Sequence, residues 1–111
     1  MADYMDCPDY LREFLYYLLT IRGRSKRTVN GYYIDLRIFL RYIKCKYVLH
    51  ADPFDPDVLQ DIEILDLPLS VLSGLTLADI YEFLTYAQSG RENNPKTRSR
   101  KVSSIRTFFH Y

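Results

Sequence analysis

The stretch SKRTVNGYYIDLRIFLRYI, Ser25 to Ile43, carries the strongest helical pattern in the chain. Ser25 is a strong N-cap residue, because its hydroxyl oxygen can accept from a backbone N–H two or three residues on. Behind it Val29, Tyr32, Leu36, Phe39, Leu40, Ile43 and then Tyr47 recur every three or four residues. That spacing predicts a long amphipathic α-helix. At about 100° per residue, Lys26, Asn30, Arg37, Arg41 and Lys44 share a separate arc about 60° wide. The helix therefore carries a basic stripe beside its apolar face. Gly31 costs about 1 kcal/mol against Ala inside a helix. Either a close neighbour needs the space or packing overrides the cost.

Upstream, Leu11, Phe14, Leu15, Leu18 and Ile21 predict a first helix that starts near Asp6 to Asp9 and stops at Gly23. Downstream, residues 48–75 break the pattern with Pro53, Pro56 and Pro68 yet keep many aliphatic residues. A structureless loop of that length is unusual, so one or two short helical turns packing back on the core are expected. Thr76 and Asp79 have capping-box spacing, with Leu75 and Ile80 as a hydrophobic staple. They open a third helix whose inner face is Leu77, Ile80, Leu84 and Ala87 and whose end is Gly90. A fourth helix starts near Asn94, with Pro95 suited to its first position. Val102, Ile105, Phe108 and Phe109 form its apolar face, opposite Lys96, Ser99, Arg100, Ser103 and Arg106. No strand or hairpin pattern interrupts this. The fold expected is all-α, a bundle of four main helices with a long, partly helical connection between helices 2 and 3.

A chain of 111 residues, 48% of them hydrophobic, suits one packed domain and excludes a disordered or low-complexity segment. The formal net charge of +1, taken alone, argues against a nucleic-acid partner, but the charges are segregated. Residues 1–21 hold one basic and four acidic groups, and 22–47 hold eight basic and one acidic. Residues 48–90 hold eight acidic groups and no Lys or Arg, and 91–111 hold six basic and one acidic. Screening beyond about 8–10 Å lets each basic block act locally whatever the total. The plain alternative is a solvated helix face beside an acidic connection.

Catalytic chemistry is hard to place. His50 and His110 are the only histidines, and no nucleophile, phosphate-loop or dinucleotide motif surrounds any candidate residue. The acids of residues 48–66 lack the glycine-punctuated spacing of a calcium loop. Cys7 and Cys45 stand apart and outside any CxxC, so two reduced thiols and no metal are expected. Neither a secretory signal nor a membrane-length apolar run is present, so a cytoplasmic protein without a membrane partner is expected. No cofactor is expected.

Three segments resemble the N-terminal core-binding, SAM-like domain of tyrosine recombinases, the phage-integrase and Xer-type enzymes. Ser25, Thr28, Tyr32, Asp35, Leu36 and Phe39 match the pattern of that domain's second helix. LTLADIYEFLTYA, Leu75 to Ala87, resembles its third. Thr97, Arg100, Ser103, Arg106, Phe108 and Phe109 match its fourth, T-x-x-R-x-x-S-x-x-R-x-F-F. The acidic stretch 48–74 exceeds that of the shortest members. The resemblance implies an all-α four-helix domain that closes around duplex DNA together with a separate catalytic domain. It also implies that the second and fourth helices face the DNA, and these carry the two basic blocks. The family's catalytic residues belong to the domain after the fourth helix, and none can be placed on this sequence.

The expectation is thus a single DNA-binding domain over residues 1–111 that lacks catalytic residues, from a longer site-specific recombinase or integrase. Its partners would be double-stranded DNA and, in the full-length synaptic complex, other recombinase protomers; the isolated domain would be a monomer. Lys26, Arg27, Lys96, Arg100, Lys101 and Arg106 are assigned to phosphates, with Arg37 on the same stripe. Ser25, Thr28, Thr97 and Ser103 are assigned hydrogen bonds to phosphate oxygens and Asn30 a base edge, while Arg100 could take either role. By helical angle Arg98 and Lys101 lie nearer the apolar side. Two other readings fit the helical pattern: a stand-alone helix-turn-helix-like regulator and a helical protein-interaction module.

Overall fold

The structure is a computed structural model that describes residues 4–52, 56–90 and 95–111, without the side chains at positions 56, 57, 89, 90, 95 and 97. Among the described residues the chain is helical, with no strand. Helix α1 runs Asp9–Thr20 and α2 runs Lys26–Ile43, continued by a π-helical turn over Lys44–Val48. Two one-turn helices follow, α3 (Pro56–Gln60) and α4 (Leu69–Ser73), then α5 (Leu77–Gly90) and α6 (Pro95–His110). The four long helices are those expected, and α3 and α4 are the short turns expected between the second and third of them. The expected start near Asn94 lies outside the described residues, as does Pro53.

Helix α2 is the centre of the bundle because its apolar arc is the longest. Val29, Leu36, Phe39, Leu40, Tyr42 and Ile43 are all buried on it. Against them pack Leu11, Phe14, Leu15 and Leu18 of α1, Phe83 of α5, and Ile105 and Phe108 of α6. Phe83 meets Phe39 and Tyr42 edge-on at ring separations of 5.0 and 5.2 Å. Burying a side chain of this size contributes about 2–3 kcal/mol. Ser25 caps α2 as expected, accepting from the Thr28 N–H at 3.1 Å. The capping box of α5 also forms. Thr76 N–H donates to Asp79 Oδ2 at 2.8 Å, and Asp79 N–H donates to Thr76 Oγ1 at 3.3 Å.

Some apolar assignments are corrected. Ile21 is 73% exposed, since α1 ends at Thr20 and the chain turns away before it reaches the core. Leu77 is 62% exposed, because at about 100° per residue it lies about 120° round α5 from Phe83, the residue of that helix buried in the core. Phe83 takes the central place on that face. Val102 and Phe109 are left partly exposed, while Ser104 is buried with its hydroxyl donating to the Lys101 carbonyl at 3.0 Å. That local bond satisfies a polar group the core could otherwise not hold.

The connection between α2 and α5 lies against the basic stripe. Arg41 Nε donates to the Ile62 carbonyl at 3.1 Å. Lys44 Nζ donates at 2.6 Å to both the Glu63 carbonyl and Asp66 Oδ1. Ile64, Leu67 and Leu72 then anchor the segment in the core. A second, smaller cluster of Cys45, Leu59 and Ile62 sits under the π-helical turn. The C-terminal half of the stripe is therefore used inside the molecule.

Candidate nucleic-acid interface

The N-terminal half of α2 and the outer side of α6 remain for an external partner, and these two helices make the most extensive packing in the molecule. What joins them is Asp35. It is the lone acid of the 22–47 block and is fully buried. Arg100 of α6 grips it with both ends of the guanidinium fork, Nε to Oδ2 at 2.8 Å and Nη2 to Oδ1 at 3.0 Å. Lys101 Nζ adds a third donor at 3.3 Å. A carboxylate removed from water needs such charge-assisted donors on both oxygens to be tolerated. Gly31, one turn before Asp35, supplies the room: a Cβ there would stand 3.2 Å from Arg100 Cδ. The close-neighbour explanation of that glycine is the one the structure supports.

The residues expected at the site divide into groups. Lys26, Arg27 and Asn30 on α2, and Lys96, Ser103 and Arg106 on α6, are exposed. Ser25 and Thr28 form the helix cap, with Ser25 Oγ donating to Thr28 Oγ1 at 3.0 Å. Asn30 Oδ1 accepts from the hydroxyl of Tyr4 at 3.0 Å, so the N-terminal segment lies against the start of α2. Arg100 and Lys101 are on the Asp35 carboxylate, yet the Arg100 side chain stays 42% exposed while Lys101 keeps only 13%. Arg37 is drawn the other way. It sits 4.9 Å over the Tyr33 ring, donates to the Tyr33 hydroxyl at 3.0 Å and pairs with Asp6 at 3.5 Å. Tyr33 also donates to Asp6 at 2.8 Å. Burial, then that bond, pushes the Tyr33 hydroxyl up to about 12. The side chain of Thr97 lies outside the described residues.

Asp35 is the residue whose role the sequence reading missed. Its signal was an acid lying opposite the basic stripe, on the apolar arc next to Leu36. Tyr4 was missed as well; it is buried although it lies in an acidic N-terminal segment. Among the described residues no group of three or more His, Cys, Asp or Glu is placed to hold a metal ion, and no helix is long and apolar enough to cross a membrane. The arrangement offers hydrogen-bond donors and positive charge on two rigidly joined helices, which suits anionic oxygens.

No protein-family profile matches the chain, and no solved structure matches it. Curated relatives do. The chain is 36% identical over 106 residues to the tyrosine recombinase XerC of Caldanaerobacter subterraneus subsp. tengcongensis, covering 94% of this chain and 29% of that protein. It is 30% identical over 104 residues to the tyrosine recombinase XerD of Listeria monocytogenes serovar 1/2a, covering 93% of this chain and 28% of the relative. A XerC of Leptospira interrogans is 26% identical over 98 residues, 88% of this chain and 24% of that protein. The chain thus spans less than a third of the length of the curated relatives it matches. The curated relatives of this chain are Xer tyrosine recombinases that match 88–94% of its length, which is consistent with an N-terminal, Xer-like domain.

Proposed function

We propose that the chain is the DNA-binding domain of a site-specific tyrosine recombinase or integrase, holding duplex DNA against α2 and α6. The observation that carries this reading is the exposed basic set Lys26, Arg27, Lys96 and Arg106, presented on two helices that Asp35 locks together. These four residues neutralise phosphates. Arg100 joins them from the edge of the Asp35 clamp, where its half-exposed guanidinium is held in place before any partner arrives, whereas Lys101, 13% exposed on the same carboxylate, contributes only if it leaves it. Ser25, Thr28, Thr97 and Ser103 donate to phosphate oxygens, and the Asn30 amide reaches a base edge. Arg37 likewise contributes only if it leaves Asp6 and Tyr33.

In this proposal residues 1–111 are one domain without catalytic residues. Strand cleavage and rejoining belong to another part of the recombinase, and other protomers are its partners in the assembled complex. The domain alone is a monomer that works in the cytoplasm and needs no cofactor. Five phosphate contacts make the affinity for duplex fall about 500-fold between 50 and 200 mM salt, because each neutralised phosphate releases counterions. Fluorescence anisotropy with a labelled duplex across that range tests the reading. Affinity that stays flat with salt overturns it, as does an unchanged affinity in a folded Lys26→Glu, Arg106→Glu variant.

A further inference from the structure

The link between α1 and α2 is a fixed turn. The N–H groups of Ile21 and Arg22 both donate to the Tyr17 carbonyl, at 2.9 and 3.1 Å, and the Arg24 N–H reaches back to the Leu18 carbonyl at 2.9 Å. Gly23 between them has φ +62°, the left-handed conformation that closes such a helix end. The turn thereby holds Arg22 and Arg24 on either side of Gly23. Both line a cavity of about 220 Å³ together with Tyr17 of α1, Tyr32 of α2, and Arg106 and His110 of α6.

Among the described residues, no acidic residue lines this cavity. Among the described residues, no carboxylate lies within ion-pair distance of Arg22, Arg24 or Arg106. That contrasts with Arg12, Arg37, Lys44, Lys46, Arg100 and Lys101, each of which has found an acid. Three guanidinium groups gathered from two elements repel one another, and an anion between them reverses the sign of that interaction. Guanidinium forks match phosphate oxygens in geometry, and the hydroxyls of Tyr17 and Tyr32 add donors on the α1 and α2 sides. Arg106 belongs at once to this cavity and to the exposed basic side of α6, so the cavity is continuous with the interface described above.

We propose that this cavity is a preformed phosphate site that takes one backbone phosphate of the bound duplex, with Arg22, Arg24 and Arg106 as its cationic walls and His110 as a further donor. The inference rests on the duplex-binding reading. It extends the footprint from α2 and α6 onto the α1–α2 turn, where nothing in the helical pattern placed a contact.

The test uses the 111-residue chain and a labelled duplex of about 20 base pairs, with the slope of log K against log salt measured for the wild type and for Arg22→Gln, Arg24→Gln together. Each lost phosphate contact makes the slope shallower by about 0.9 and lowers affinity by roughly tenfold at moderate salt. Glutamine keeps a polar side chain without the charge, and thermal melting checks that the variant folds. Should it not fold, Arg24→Lys replaces it: a single charge keeps the repulsion but loses the fork, and affinity still falls. Arg12→Gln, whose cation is already paired with Asp9, serves as the control with an unchanged slope. Titration with inorganic phosphate, followed through the His110 ring signals, is saturable in the wild type and lost in the double variant. A double variant with the wild-type slope overturns the cavity proposal while leaving duplex binding by α2 and α6 intact. A wild type that binds no duplex overturns both, and phosphate binding without duplex binding makes the cavity a site for a free anion only.

Discussion

Replacing Asp35 by asparagine keeps the shape of the side chain and removes only its charge. In the wild type three donors converge on a carboxylate that has no exposed surface. In the variant an amide faces two cations, and its NH₂ group points at donors. Breaking a fully buried ion pair costs about 3–5 kcal/mol, because the partner is left charged and dry. Here the two partners differ. The Lys101 side chain is 13% exposed and cannot easily regain water, whereas that of Arg100 is 42% exposed and can turn outward. The cost therefore falls at the low end, about 3 kcal/mol. For a domain of this size that corresponds to a melting temperature lower by roughly 12 °C, from about 4 °C per kcal/mol. Urea unfolding gives the free energy directly, with an unchanged m-value expected. The double variant with Arg100→Ala closes the cycle: the arginine truncation must cost at least about 1 kcal/mol less in the Asp35→Asn background than in the wild type. A loss below about 1 kcal/mol for Asp35→Asn, or additive effects in the cycle, would refute the view that this carboxylate joins α2 to α6.

Gly31→Ala carries two opposed effects, a gain of about 1 kcal/mol in helix propensity and a tight contact with Arg100 Cδ. Because Asp35 pins that guanidinium, the substitution is expected to be neutral or destabilising in the wild type and stabilising by about 1 kcal/mol in the Arg100→Ala background; equal effects in both backgrounds count against the close approach. At the start of α5, the Thr76 N–H and then the Tyr47 hydroxyl hold the Asp79 carboxyl below the ordinary aspartate range. A lowered folded value stabilises above the unfolded value of about 3.9 and is lost as pH falls through the folded one. The stability gap between wild type and Asp79→Asn is therefore expected to be constant near neutrality and to close below about pH 4 in acid-unfolding curves; a gap independent of pH contradicts this. Finally, Cys7 and Cys45 are both fully buried, and burial followed by Asp6 pushes the Cys7 thiol up to about 12. A thiol reagent at pH 8 is expected to modify them only at the rate of unfolding, and fast labelling of either one in the native state counts against their burial.

Much of the fold was legible along the chain, and the reason is locality. Helix periodicity, the Ser25 cap and the Thr76–Asp79 box are set by residues three or four apart, so each appears in the sequence as it appears in space. The short turns within residues 48–75 were legible for the same reason, since prolines and aliphatic clusters are local signals. Helix ends were less legible. Ile21 and Leu77 fit the periodic pattern, yet exposure depends on where the opposing helices lie, which no window of the sequence contains.

The candidate site shows the same division more sharply. Segregated charge identified which two helices are basic, because charge counts need no coordinates. Which of those charges remain available was a tertiary matter. Arg41 and Lys44 lie on the same arc as Lys26, but the connection folds back on them and supplies carbonyls and Asp66. Arg37 finds Asp6 across 31 positions, and Arg100 finds Asp35 across 65. Arg22 and Arg24, ordinary link residues in the sequence, come beside Arg106 only because the Gly23 turn and the end of α6 converge. An all-α domain with two basic helices follows from short-range periodicity and composition, which a linear chain displays in full. Which cations are paired and which still face outward depends on separation in space, and contacts between distant segments arise only when the core packs.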